Sequence, residues 1–305
     1  MKSTISLLVL VLLCSVPACA QDMNGNHHHN NNAAADPVES QDWAKQKLAK
    51  SPRHQEWVKV KAGNREVNSF VVYPENKNKA TAVIVIHEIF GMSDWVQSLT
   101  DQLAEAGYVA IAPDLLSGMG PNGGGTSSLD RNAVGQTIRD LPPDQITADL
   151  NAVADYIGKV PASNGKVVVT GYCWGGSQSF RYATNNQKIK AAFVFYGSAP
   201  AAADGTPDKA ALAKIAAPVY GFYAGNDARI NATLPATTEA MNELKKTFEP
   251  VTYDGAGHGF MRAGDAPEPA DKTAADYQKQ LDAWKGNKKA RDEAWARWKK
   301  LLAAI

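Results

Sequence analysis

Apolar residues fall along the chain in two rhythms that replace one another. Trp57-Val-Lys-Val-Lys and Val67-Asn-Ser-Phe-Val-Val-Tyr alternate with period two on either side of Gly63-Asn64, which predicts two strands joined as a hairpin. Residues 82–86 form a continuous apolar run, as in a strand buried on both faces, and end in His87-Glu88-Ile89-Phe90-Gly91. With Ser93 or Asp94 as cap, the period lengthens: Trp95, Leu99, Leu103 and Ala106 share one helical face. A short strand is predicted over 108–113. A second helical face, Ile146, Leu150, Val153 and Ile157, follows Pro142-Pro143-Asp144. Beyond it come a strand at 167–170, a helix from Gly176, and buried strands at 191–196 and 219–223. The chain closes with a helix over 234–248, a strand at 251–253 and a terminal helix faced by Trp295, Trp298 and Leu302. A short polar helix through Lys50 opens the folded body, and the polar stretch 267–287 reads as an insert wrapping the surface. Strands alternating with helices predict a single α/β domain over 38–305. Its central sheet is mostly parallel, flanked by helices and joined by right-handed crossovers.

Composition changes this picture in two ways. Lys and Arg total 32 against 31 Asp and Glu, so no polyanion-binding surface is expected and nucleic acid is not a predicted partner. At 44% hydrophobic the chain has ample material for a core, and no stretch after the first twenty residues is apolar enough to span a membrane. Lys2, the apolar run 5–13 and Ala18-Cys19-Ala20 have the layout of a secretory signal peptide over 1–20. Export to the periplasm or beyond is expected. In the alternative, Val16-Pro17-Ala18-Cys19 acts as a lipobox and Cys19 carries a lipid anchor. Residues 21–37 are a polar, low-complexity linker; its His27-His28-His29, set among Asn and Ala, has no partners to orient it, so no metal site is expected. Of three cysteines, Cys14 and Cys19 belong to this leader. The body keeps Cys173 alone, a thiol without an intramolecular disulfide partner and therefore a candidate reactive group.

That cysteine sits at the centre of Val167-Val-Val-Thr-Gly-Tyr-Cys-Trp-Gly-Gly176. A β-branched strand running into Gly-x-Cys-x-Gly-Gly is the pattern of a nucleophile elbow, a strand-to-helix turn that lifts one side chain into a cleft. A free thiol titrates near about 8.5, so a base is needed. The elbow order is nucleophile, acid, histidine. One histidine follows Cys173, His258, between glycines in Gly255-Ala-Gly-His-Gly-Phe-Met-Arg262. Asp227, just past the strand Val219-Tyr-Gly-Phe-Tyr-Ala, is the expected acid; Asp254 competes but lies only four residues before the histidine. The backbone N–H groups of Trp174 and Ile89 are the expected oxyanion donors, with Glu88 beside the latter. Gly118-Met-Gly-Pro-Asn-Gly123 matches a dinucleotide-binding fingerprint in letters only. Pro121 interrupts the turn, and Gly-Gly-Thr-Ser-Ser follows where a helix should open.

Taken together, His-Glu-Ile-Phe-Gly at 87–91, Gly-Tyr-Cys-Trp-Gly-Gly at 171–176, Asp227 after Tyr-Ala-Gly-Asn, and Gly-His-Gly-Phe-Met-Arg at 257–262 resemble the dienelactone hydrolase family over about residues 55–305. The resemblance implies an α/β-hydrolase fold and hydrolysis of a lactone or related ester through Cys173, His258 and Asp227, with no cofactor. It also implies that Glu88 interacts with the Cys173 thiol and helps to activate it. Arg262 and Arg131 would bind a substrate carboxylate; Arg139 lies close to the second of these positions. Trp174 is bulkier than the aliphatic residue often found after the cysteine. A small-molecule ester or lactone and a monomeric chain are expected; the rival reading is an exported binding protein that keeps the fold without turnover.

Overall fold

The computed structural model describes residues 41–76, 78–264 and 266–305. The expected signal peptide, the linker with its three histidines, the lipidation site at Cys19 and the first residues of the opening helix lie outside the described residues. In chain order the elements are α1 (Asp42–Ala49), β1 (Gln55–Ala62), β2 (Arg65–Val72), β3 (Ala80–Ile86), α2 (Asp94–Glu105), β4 (Val109–Pro113), α3 (Arg131–Arg139), α4 (Pro143–Ile157) and β5 (Ser163–Tyr172). There follow α5 (Trp174–Asn185), β6 (Ala192–Phe195), α6 (Lys209–Leu212), β7 (Val219–Ala224), α7 (Ala228–Asn231), α8 (Leu234–Glu243), β8 (Phe248–Tyr253) and α9 (Tyr277–Ala303).

The eight strands form one sheet in the order β1-β2-β4-β3-β5-β6-β7-β8. The hairpin strands are antiparallel to each other, β2 is antiparallel to β4, and the remaining pairings are parallel. Period-two alternation sorts each strand between two apolar layers. On β3, Ala82, Ile84 and Ile86 join the layer under α4 and α5 with Ile146, Leu150 and Phe180. Val83 and Val85 point the other way, to Trp95 and Leu99 of α2 and Trp298 of α9. Such two-faced burial explains why the central strands read as unbroken apolar runs. The register aligns Ile86 with Gly171, Tyr172 with Phe195, Phe195 with Phe222, and Ala224 with Tyr253. The carboxyl ends of β3, β5, β6, β7 and β8 therefore finish side by side, and the loops they feed meet at one rim.

Three segments depart from the sequence expectation. The helix expected over 234–248 stops at Glu243, because Lys245 takes a left-handed φ of 55° and Lys246 N–H donates to the Met241 carbonyl at 2.8 Å. That is a helix stop of the Schellman kind without its usual glycine, and Phe248 is free to open β8. Residues 131–139, where the apolar pattern predicts no element, form α3, capped by the Asp130 carboxylate and buried through Val134 and Ile138. Residues 277–287 are not a surface wrap but the first turns of α9. They are polar because this helix buries a stripe only further on, at Ala290, Ala294, Trp298 and Leu302.

One buried charge has a consequence for stability. Asp149 of α4 is 1% exposed, and its nearest cation, the Arg65 Nη2, stands 3.5 Å away. Burial pushes its carboxyl up to about 6, against the opposing pull of Arg65. The folded state then holds a proton more tightly than the unfolded chain, so this contribution is full at the acid end and is lost as pH rises through about 6. Asp149→Asn is expected to flatten the fall in unfolding free energy between pH 4.5 and 7.5, and to gain up to about 3 kcal/mol at the upper end. Urea titrations of both proteins across that range check it. Parallel pH curves would contradict it.

Candidate active site

At the end of β5 the chain turns by steric necessity. Cys173 has φ 55° and ψ −117°, its N–H donates to the Phe195 carbonyl at 3.1 Å, and α5 begins at the next residue. A bulky residue in this conformation is strained by about 1–3 kcal/mol. The surrounding backbone leaves it no alternative. A Cβ on Gly171 would stand 1.9 Å from the Gly175 oxygen, and one on Gly175 would stand 2.3 Å from the His87 oxygen. The glycines of the elbow motif are contact points between strand, helix and neighbouring loop, which is why the motif is legible in sequence.

Cys173 is half-buried and lies within electrostatic reach of His258, which arrives on the loop after β8. The imidazole Nδ1–H donates to Asp227 Oδ2 at 2.5 Å, and the other oxygen of Asp227 accepts from Ile230 N–H at 3.3 Å. It is thus Asp227, at the end of β7 and the cap of α7, that the structure pairs with the imidazole, and not Asp254. Burial by itself would lower the His258 pKa. The hydrogen bond to Asp227 and the interaction with the Cys173 sulfur outweigh it and raise it to about 9. Asp227 is pulled below the ordinary carboxylate range: burial opposes the change, and the His258 hydrogen bond and charge carry it. Asn287 of α9, expected in a surface insert, accepts the Gly257 N–H at 2.7 Å and so helps to fix the histidine loop.

A second charged pair lies beside the thiol. Glu88 is 2% exposed, and its Oε2 accepts from Arg262 Nη1 at 2.9 Å. Arg262 also stands over the Phe90 ring, 5.6 Å from its centroid. The carboxylate is bonded to the arginine rather than to Cys173. The two residues that the resemblance assigned to thiol activation and to substrate therefore hold each other. Between them and β3, His87 is fully buried and kept neutral by burial; its Nδ1–H donates to the Glu88 carbonyl at 2.8 Å. Trp174 stacks on this imidazole at 5.5 Å with 16° between planes, which gives the bulk of Trp174 a place. His87 shapes the loop that carries Glu88. Gly91 N–H closes a tight turn onto the Glu88 carbonyl at 3.1 Å, with Ile89 and Phe90 at its tip.

Ile89 and Phe90 also border a cleft of about 580 Å³ lined by Arg131, Asn132 and Arg139 of α3; Cys173 and His258 do not line it. The structure thus places Arg131 and Arg139 along one cleft, and Arg262 does not line it. The glycine-rich stretch 118–128 makes two single turns of 3₁₀ helix. Its Thr126 is clamped by the Asp114 carboxylate through N–H and Oγ1, both at 2.8 Å, and receives Met92 N–H at 3.1 Å. The next helix opens only at Arg131, so the loop braces the Gly91–Met92 turn instead of presenting a helix N-terminus.

A cysteine on a nucleophile elbow, backed by an imidazole and a carboxylate at the ends of later parallel strands, is the arrangement of an α/β hydrolase. The sequence profile of the dienelactone hydrolase family matches residues 67–305, and the chain belongs to that family; it is a lactone or ester hydrolase. A protein of Yersinia pestis, provisionally named a carboxymethylenebutenolidase, is 30% identical over 225 residues, spanning 71% of this chain and 82% of its own. One from Methylorubrum extorquens with the same provisional name is 29% identical over 232 residues, 74% of this chain and 79% of its own. Among solved structures, a provisionally named dienelactone hydrolase of Klebsiella pneumoniae superposes with TM-score 0.66 at 24% identity, over 83% of this chain and 99% of its own. A dienelactone hydrolase-like promiscuous phosphotriesterase from metagenomic libraries gives 0.64 at 19% identity, over 83% and 98%. These two share the fold.

The pairing sets a measurable titration. By NMR, His258 is expected to titrate near 9 in the wild type and at least one unit lower in Asp227→Asn, which keeps the shape but removes the charge. An unchanged imidazole pKa in the variant would show that Asp227 does not hold the proton.

Proposed function

We propose that this protein hydrolyses a lactone or small carboxylic ester, with Cys173 as nucleophile, His258 as general base and acid, and Asp227 as the group that orients and charges the imidazole. The carrying observation is an imidazole hydrogen-bonded to a buried carboxylate and within electrostatic reach of a half-buried thiol on a strained elbow. In the proposed reaction His258, already charged in the resting site, holds the proton taken from the thiol while the sulfur bonds to the substrate carbonyl carbon. The N–H groups of Ile89 and Trp174 donate to the oxygen that becomes negative. Collapse breaks the carbon–oxygen bond of the ester, and His258 returns its proton to the departing alkoxide; in a lactone that alkoxide stays tethered to the acyl group. Water, deprotonated by His258, then attacks the thioester, and the acid leaves with the thiol restored.

Charge around the elbow indicates the kind of substrate. Arg262 beside Glu88 and the arginines 131 and 139 along the neighbouring cleft favour a substrate with an anionic group. The name borne by the relatives, which describes a butenolide carrying a carboxymethylene group, is of that chemistry. Glu88 is placed to influence the thiol once Arg262 engages such an anion. Export through the leader at 1–20 completes the proposal, and the intact mass of the mature chain distinguishes cleavage after Ala20 from a lipid on Cys19.

Cys173→Ala is expected to reduce hydrolysis of a panel of small esters and lactones at least a thousandfold. One equivalent of iodoacetamide on the wild type is expected to abolish the same activities. Steady-state rates across the panel check both. A variant that turns over at wild-type rate would remove Cys173 from the chemistry, and a wild type inactive on every member would favour a binding protein on the same fold.

A further inference from the structure

Tyr196 has no part in the reaction as proposed, yet it is held at the site against the preferences of its own backbone and side chain. It is the residue at which β6 leaves the sheet, its N–H donating to the Phe222 carbonyl at 2.8 Å, and it has a positive φ of 41°. The following residue, Gly197, is pressed onto the start of α5; a Cβ there would stand 2.3 Å from the Gly176 carbonyl carbon and the Ser177 nitrogen. The backbone therefore cannot relax, and the side chain is directed beneath the catalytic residues. The ring packs edge-on against His258 at 5.0 Å and Phe260 at 5.4 Å, contacts a phenylalanine would make equally well.

The hydroxyl is another matter. It is fully buried and has no hydrogen-bond partner among the described residues, which is costly for a donor removed from water. A complementary orphan lies in the same cluster: Glu88 Oε1, also buried and unpartnered, while its twin oxygen is held by Arg262. The phenol is within electrostatic reach of Glu88, Arg262 and Cys173 together. An unpaired acceptor and an unpaired donor around one exchangeable ion pair have a natural use. A buried carboxylate cannot lose its cation cheaply unless another donor replaces it.

We propose that Tyr196 is a positioning residue for Glu88: when Arg262 turns from Glu88 to the anionic group of a substrate, the Tyr196 hydroxyl donates to the carboxylate left behind and keeps it beside Cys173. The proposal rests on the reading of Arg262 as the anion ligand. It makes the resting orphan hydroxyl a reserve donor, used only in the substrate complex.

The test is Tyr196→Phe, assayed with para-nitrophenyl hemisuccinate and para-nitrophenyl acetate, which share a leaving group and differ in the carboxylate. The expected result is a fall of at least tenfold in kcat/KM for the anionic ester, a change within twofold for the neutral one, and a melting temperature no lower than wild type. Equal losses on both esters, or a lowered melting temperature, would assign the hydroxyl a structural role and overturn the proposal. Unchanged kinetics on both would show it idle and overturn it equally. A wild type that does not distinguish the two esters would defeat the underlying reading of Arg262, and Tyr196 with it; that result is seen before any variant is made.

Discussion

The architecture of the site depends on one steric constraint, the near-contact of backbones around the elbow. Gly171 and Gly175 touch across the turn, Gly175 touches the carbonyls of Ile86 and His87, and Gly176 touches Phe195 and Gly197. Side chains at any of these points would drive apart β3, β5, β6 and α5, whose ends the sheet register has just brought level. Because the knot is tight, Cys173 is kept in a conformation it would not choose, and the Ile89 turn and Tyr196 are fixed relative to it. Strain at one residue is over-determined by packing at its neighbours.

Two ion pairs, each with a buried carboxylate, lie within electrostatic reach of the thiol, and they differ in what they do with charge. Asp227 and His258 are joined by a short hydrogen bond at the ends of β7 and β8, an arrangement that stabilises an imidazolium. Glu88 and Arg262 neutralise each other. Removing either partner of a buried pair costs more than the pair itself contributes. Under the proposed function, substrate charge would trigger rearrangement at the second pair, while the first would move a proton without rearrangement.

Much of this was legible in the sequence because the relevant constraints are local. Apolar runs marked the doubly buried strands, and the glycine spacing around Cys173 marked the elbow. Chain order selected Asp227 and His258 without any knowledge of distance. What escaped the sequence has physical reasons. Helix α8 ends on a lysine in the left-handed region, a position where glycine would have announced the stop. The first turns of α9 are polar because only its later turns pack on the core, and they anchor the histidine loop through a single side chain, Asn287. For α3 the cap at Asp130 and the four-residue spacing of Val134 and Ile138 were available signals. The pairing of Glu88 with Arg262 spans 174 positions and had no local signature. Tyr196 read as the end of a strand because its importance lies in where its backbone turns.

The most direct test of the central claim is to trap the covalent intermediate. Wild-type protein mixed with a slowly hydrolysed para-nitrophenyl ester, quenched in acid within milliseconds to seconds and digested, is expected to carry the acyl group on the peptide containing Cys173. The adduct should rise with the burst of nitrophenol and decay as turnover is completed. An acyl group mapped to any other residue during productive turnover would contradict the account.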